Sequence, residues 1–272
     1  MADTMAEIPI RRYRQGQVEL VQDRVAVEEP LEIRLAGEPF QVLMRLPGWE
    51  KELALGFLYT EGIVRSLEEV TTLHFCGSAT DPVLPPNVVD VYLSDAALAR
   101  RGRRHLEVAY SSCSLCAKEA VSEICRKVPK VSSSLTITAA SLLALMARLP
   151  EAQSIFRETG CTHAVALATA DGAVFLHAED IGRHNAMDKV IGRGLMQRRD
   201  LTQMVALLSG RISFEMALKA ARAGIPILAA VSAPTTMALS LAQELDLTLV
   251  GFARDGRMNI YTHPHRLSDL EK

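Results

Sequence analysis

Cys113 and Cys116 stand three residues apart in Ser111-Ser112-Cys113-Ser114-Leu115-Cys116-Ala117-Lys118. That spacing can close a disulfide, supply half a zinc site, or pass a sulfur atom between two thiols. A strand-like run, Leu106 to Tyr110, precedes the pair, and a helical run, Ala117 to Arg126, follows it. With Ser111 or Ser112 as the cap, both thiols fall at the first helical turn. Backbone N–H groups and the macrodipole there favour a thiolate, as does nearby Lys118. Three chemistries stay open on these residues: a buried apolar pair, a zinc site that needs two more ligands, and redox or sulfur-transfer chemistry. The loop setting and the absence of a second Cys-x-x-Cys favour the last. Zinc deaminases place His-x-Glu ahead of Pro-Cys-x-x-Cys. Here the cysteines precede His177-Ala178-Glu179, and Ser112 stands where the proline belongs. Two of the signature's ordering rules therefore fail, and no metal is expected at a deaminase-type site. Of the remaining cysteines, Cys76 ends a strand, Cys125 sits on an amphipathic helix and Cys161 lies in a loop; all three are expected to be structural.

Other polar residues cluster after apolar runs. Glu179-Asp180-Ile181-Gly182-Arg183-His184-Asn185 holds five polar side chains among seven residues, costly to bury unless they pair or meet a ligand. Two readings stand level. One is an anion site where a loop enters a helix N-terminus. The other is a satisfied capping loop, with Asp180 as cap and His184 as an internal donor. Ser209-Gly210-Arg211-Ile212-Ser213-Phe214-Glu215 repeats the arrangement, and Ser232-Ala233-Pro234-Thr235 opens a third helix. In an open α/β sheet, loops at the carboxyl ends of strands gather around one crevice, so these three are expected to converge. Phe252-Ala253-Arg254-Asp255-Gly256-Arg257 carries a common surface hairpin signal in Asp255-Gly256. If it faces the same crevice, its two arginines can grip phosphates. The chain has no Walker phosphate loop and no dinucleotide glycine fingerprint.

The elements that must position these residues differ along the chain. Val18 to Leu46 is β-like, with a turn at Ala36-Gly37-Glu38-Pro39. A helix is expected from Trp49 to Val64, strands over Val70 to Phe75 and Val88 to Leu93, and a proline-rich loop from Gly77 to Asn87. Beyond Ser132-Ser133-Ser134, strands and helices alternate. Helices are expected over Ala139 to Leu149, Arg183 to Met196, Phe214 to Ala223 and Thr236 to Leu245. The strands between are His163 to Ala168, Val174 to His177, Met204 to Leu208, Ile227 to Val231 and Leu247 to Phe252. Gly224 before Ile225-Pro226 is a helix stop. Continuously apolar strands argue for a sheet covered on both faces.

Composition bounds the function. The chain has 272 residues, 49% hydrophobic and 23% charged, with a formal charge of −2. It is long enough for one large domain or two smaller ones. That charge and 5% aromatics argue against a nucleic-acid reader. Five cysteines, an odd number, and acids in MADTMAEIPI where a signal peptide carries bases point to a reducing cytosol. Ala223 to Gln243 lacks charge, but Pro226 and Pro234 break it, so a strand, turn and helix explain it better than a membrane span.

SSCSLC, EDIGRHNAMDKVIG, SGRISFEMALKAARAGIPILAAVSAPT and LTLVGFARDGRMNIYT, in that order, resemble the formate dehydrogenase accessory sulfurtransferases, the FdhD family, over nearly the whole chain. The resemblance implies an α/β protein of two domains. Residues 1–130 would form a smaller N-terminal α+β domain ending in the Cys-x-x-Cys loop and helix. Residues 131–272 would form a cytidine-deaminase-like three-layer α/β/α sandwich without the deaminase zinc site. It further implies a cytosolic homodimer, with no nucleic acid or membrane partner. Such a protein takes sulfur from a cysteine desulfurase as a cysteine persulfide. It passes the sulfur to the molybdenum (or tungsten) bis-pyranopterin guanine dinucleotide cofactor, Mo-bis(molybdopterin guanine dinucleotide), of formate dehydrogenase. By position, Cys113 corresponds to the persulfide-bearing cysteine and Cys116 to its partner. Phe252, Ala253, Arg254, Asp255, Gly256 and Arg257 correspond to the cofactor-binding stretch. His184 and Arg211 fall within matching blocks and are expected to touch the cofactor. The family usually writes Cys-Gly-x-Cys-Gly; Ser114 and Ala117 replace those glycines here, and both resist backbone conformations that glycine allows. The alternative is a non-catalytic cofactor chaperone of formate dehydrogenase.

Overall fold

Strand β3 (Glu29–Leu35) alternates, burying Leu31, Ile33 and Leu35 on one face. Ala36 and Gly37 both take positive φ, as a two-residue hairpin turn requires, and lead into β4 (Glu38–Arg45). With β5 (Val70–Cys76) and β6 (Val88–Leu93) they form a sheet of order β4-β3-β6-β5. Helix α1 (Glu50–Thr60) lays Leu53, Ala54, Leu55 and Leu58 into one core with Leu31, Ile33, Val89 and Val91. Gly62, at φ 76°, follows its C-cap, the left-handed exit that glycine accepts most readily. A separate antiparallel hairpin pairs β1 (Met5–Arg14) with β2 (Gln17–Ala26). The sequence pattern anticipates only its second strand. A short helix, α2 (Asp95–Leu98), is capped by Ser94.

The computed structural model describes residues 3–76, 87–100 and 124–270. The strand expected over Leu106 to Tyr110, the Cys113/Cys116 segment and nearly all of the Gly77 to Asn87 loop lie outside them. Residues 124–127 are helical, overlapping the end of the helix expected over Ala117 to Arg126 and passing it by one residue.

The second sheet contains β7 (His163–Ala168), β8 (Phe175–Asp180), β9 (Val205–Leu208), β10 (Ile227–Ala230), β11 (Thr248–Arg254) and β12 (Arg257–Ile260), in the order β12-β11-β10-β9-β7-β8. β9, β10 and β11 are parallel; β7 runs against β8 and β9, and β12 against β11. One face carries Val165, Leu167, Leu208 and Leu228 into a core with helices α5 (Arg183–Met196), α6 (Phe214–Arg222) and α7 (Thr236–Leu245). The other packs Ala164, Ala166, Leu207 and Ala229 against α3 (Ala139–Arg148). Both faces are covered, which is why these strands read as unbroken apolar runs. The short α4 (Ser154–Thr159) precedes β7.

The two sheets are joined through α1 and α5. A Cβ on Gly56 would lie 1.9 Å from the Asp188 carbonyl oxygen, and one on Gly192 1.9 Å from that of Glu52. Backbone therefore meets backbone, at a distance only glycine permits. Elsewhere two strands outrun their expected ends. β8 continues through Glu179 and Asp180, paired with Ala164 and His163, and β11 reaches Arg254, opposite Arg257. An apolar run stops at the first charge, whereas ladder pairing does not. Among the described residues, no helix is long and apolar enough to cross a membrane. Ala223 to Gln243 forms β10 and most of α7, as expected.

Candidate functional site

Because β8 runs in the same direction as β9, β10 and β11, the segments that follow all four emerge at one edge of the sheet. Backbone bonds stitch them side by side. Ser209 N–H donates to Ala164 O at 3.0 Å, Ile212 N–H to Ala233 O at 3.2 Å, Thr235 N–H to Ile212 O at 3.0 Å, and Phe252 N–H to Ser232 O at 3.2 Å. The loops after β9 and β10 are thus adjacent, and the 3.0 Å contact of His184 with Glu215 brings the segment after β8 against that after β9; residues 232–235 do not line the cleft described below. From β11 to β8 the edge spans four strand spacings, or about 19 Å.

Cationic groups collect along it. Arg211 is exposed after β9, and Arg254 and Arg257 flank the exposed Asp255-Gly256 turn after β11. Arg183 opens α5, and its Nε is buried without a hydrogen-bond partner. His163, at the start of β7, is held below its ordinary pKa chiefly by burial, then by Arg183 and Arg211. Neither α5, with Gly182 at the N-cap, nor α6, with Ser213, has a side-chain cap. Their uncapped N-termini add partial positive charge at the same edge, offset in part on α6 by Glu215 in its first turn. Phe252 takes φ 52° beside a register shift between Gly251 and Arg254. A bulky residue in left-handed backbone is strained, and a bulge re-aims side chains beside functional sites.

A cleft of about 390 Å³ adjoins this edge between α1 and β4 on one side and α5 and α6 on the other. Leu43, Phe57, His184, Phe214, Lys219 and Arg222 are among its walls. His184 Nε2 lies 3.0 Å from Glu215 Oε2. Burial pushes His184 below its ordinary pKa; Glu215 opposes this, and Arg183 and Lys219 reinforce it. The floor is an ionic lock. Lys219 Nζ donates to Asp188 Oδ1 at 2.9 Å, to Asp188 Oδ2 at 2.8 Å and to Thr60 Oγ1 at 2.9 Å. Thr60 Oγ1 in turn donates to Asp188 Oδ1 at 2.7 Å. Burial raises the Asp188 carboxyl, while Lys219 and Thr60 pull it down.

A second lock lies beneath the first. Asp180, fully buried, sits 2.7 Å from Lys189 Nζ and accepts from Leu46 N at 3.2 Å, Gly182 N at 3.0 Å and Asn185 Nδ2 at 3.1 Å. Lys189 also donates to Leu46 O at 2.8 Å. Asp180 therefore ends β8 and anchors the joint between the sheets; it is not the cap of α5, which begins after Gly182.

The expected site residues divide into groups. Arg211 and the Phe252–Arg257 stretch lie along the cationic edge, while His184 faces the adjoining cleft. Ala253 is buried in the core and contributes only packing. Cys113 and Cys116 lie outside the described residues. Glu179 accepts from Ile155 N and Phe156 N, each at 2.9 Å, and from Thr162 Oγ1 at 2.6 Å. Those bonds engage its carboxylate fully and leave it no deaminase role. Cys125 is half-buried against the core, and burial raises its thiol pKa. Cys161, expected to be structural in a loop, is a free thiol and exposed. Sequence reasoning placed Arg183 only within its polar loop and missed His163, Asp188 and Lys219. The last two interrupt buried helical stripes, and that signal was available.

The FdhD/NarQ family profile matches residues 26–268. The sulfur carrier protein FdhD of Mycolicibacterium paratuberculosis is 47% identical over 262 residues, covering 93% of this chain and 94% of that protein. The sulfur carrier protein FdhD of Streptomyces avermitilis is 43% identical over 268 residues, covering 94% and 93%. A crystal structure described as a formate dehydrogenase accessory protein from Desulfotalea psychrophila superposes with a TM-score of 0.77 at 25% identity, over 97% of this chain and all of that one.

Proposed function

The chain belongs to the FdhD/NarQ family, and from that premise we propose that it is a sulfur carrier for the maturation of formate dehydrogenase. Its cargo site is the arginine-bearing sheet edge. One observation carries the placement: the buried Arg183 Nε without an acceptor lies on the same edge as Arg211, Arg254, Arg257 and two uncapped helix N-termini. Such an edge suits a ligand with several phosphate oxygens, and the phosphates of Mo-bis(molybdopterin guanine dinucleotide) supply them. Arginine forks and uncapped helix N-termini can bind phosphate oxygens at several points along an edge about 19 Å long.

The sulfur chemistry rests on Cys113 and Cys116. Cys113 thiolate attacks the outer sulfur of a cysteine desulfurase persulfide. The donor's S–S bond breaks, its thiolate leaves, and a persulfide forms on Cys113. Attack of Cys116 thiolate on Cys113 Sγ then expels hydrosulfide toward the cargo. It leaves a Cys113–Cys116 disulfide, which an external thiol reduces. His184, whose pKa burial lowers and which lies against Glu215, can exchange a proton in the adjoining cleft.

A non-catalytic cofactor chaperone would use the same edge and differ only at the cysteines. Replacing both Cys113 and Cys116 by Ala separates the two. The sulfur-carrier reading expects loss of formate dehydrogenase maturation with guanosine diphosphate binding retained. Full maturation by the double variant would instead establish the chaperone.

A further inference from the structure

At the opposite edge of the second sheet, α7 ends on Asp246, which takes left-handed backbone at φ 61° before β11. His263, also left-handed at φ 46°, opens the short turn Pro264–Arg266. The two meet: His263 Nδ1 lies 3.0 Å from Asp246 Oδ1. The His265 ring stands edge-on to that of His263, with centroids 6.0 Å apart. One ligand atom each from Asp246, His263 and His265 can be drawn so that all lie within 4.8 Å of one another. The sequence spacing gave no metal site, because these ligands come from two separate segments.

The geometry points to a divalent-cation site at Asp246, His263 and His265, with zinc as the ion it fits best. The decisive contact is on the far side of the ring. His263 Nε2 lies 3.3 Å from Gln243 O. In the tautomer that places the hydrogen on Nε2, that carbonyl accepts it and Nδ1 keeps its lone pair. In that tautomer Nδ1 turns its lone pair toward Asp246 Oδ1 at 3.0 Å, a pair of donor atoms that a divalent cation can bridge. A metal-bound imidazole whose other N–H is held by a carbonyl is the usual outer arrangement of such sites. Asp246 is oriented in the same way. Its other oxygen lies 3.4 Å from Arg266 Nη2, and Arg266 is itself buried. His265 is exposed and can rotate inward. Two imidazoles and one carboxylate suit zinc, with solvent in the fourth position.

The site is remote from the cationic edge and independent of the sulfur-carrier reading. Its effect would be to clip the C-terminal segment to α7. That segment also receives Ile137 N–H at Arg266 O and Ala139 N–H at Asp269, which hold the start of α3.

Zinc titration of the full chain against a chromophoric chelator tests this, with His265→Ala and Asp246→Asn as variants; asparagine tolerates left-handed backbone. The expected result is one ion per chain, bound about tenfold or more weakly in each variant. Cobalt substitution should give a visible spectrum without a thiolate charge-transfer band. No stoichiometric uptake, unchanged affinity in His265→Ala, or a thiolate band that reports cysteine ligation would each overturn the assignment.

Discussion

Gly56 on α1 faces the carbonyl of Asp188 on α5 so closely that a Cβ would stand 1.9 Å from its oxygen. Gly192 faces Glu52 in the same way from the other helix. Alanine would gain about 1 kcal/mol of helix propensity at either position. A clash with backbone, which has no rotamer to escape into, outweighs that gain. Gly192→Ala should lower stability by about 1–3 kcal/mol net, read from urea denaturation. A stabilised variant would contradict the close approach.

The Lys219–Asp188–Thr60 lock predicts an asymmetry. Lys219→Met strands a buried carboxylate and should cost about 3–5 kcal/mol. Lys219→Met combined with Asp188→Leu should recover most of that loss, since an apolar pair of similar volume carries no desolvation penalty. Chemical denaturation of the two single variants and the double variant gives the coupling. Simple additivity would show that the groups do not act together.

Three histidines, His163, His177 and His184, have pKa values pushed down, in each case chiefly by burial. The folded state then resists a proton that the unfolded chain accepts near pH 6.5. The unfolded state binds more protons below that point, so stability should fall as pH drops below about 6.5 and level off once the folded histidines also titrate. Asp188, raised by burial, works in the opposite direction in the acid range. Comparison with His184→Gln isolates the histidine contribution: the variant should lose less melting temperature between about pH 7 and 5.5 than the parent chain does. Identical pH profiles would remove the effect assigned to His184.

The cargo edge predicts graded losses of anion affinity. Arg183→Gln and Arg257→Ser should each weaken guanosine diphosphate binding by about tenfold or more. The remaining affinity should depend less on salt than that of the parent chain. Calorimetry at two ionic strengths checks both statements. Parent-like affinity in both variants would move the site elsewhere.

The second sheet was largely legible because apolar runs such as Val205–Leu208 and Ile227–Ala230 are buried on both faces and have sharp ends. Alternation with helices also implied that the polar loops share an edge. The hairpin pairing of β7 with β8 carried no such signal, since it depends on register rather than composition. β1 was hidden because Arg11, Arg12 and Arg14 lie exposed in it and no core face marks it. The ionic locks were visible only as charges in apolar stripes. Thr60 and Asp188, whose hydroxyl and carboxylate are hydrogen-bonded at 2.7 Å, are 128 residues apart. Position in sequence gives no warning of such a contact. The cation trio joins Asp246 to two histidines beyond an entire hairpin, so no ligand spacing announces it.

Intact-protein mass spectrometry after incubation with a cysteine desulfurase and cysteine tests the sulfur-carrier account most directly. The account predicts a gain of one sulfur atom that a reducing thiol removes and that Cys113→Ala abolishes. An unchanged mass in the parent chain, or the same gain in Cys113→Ala, would contradict it.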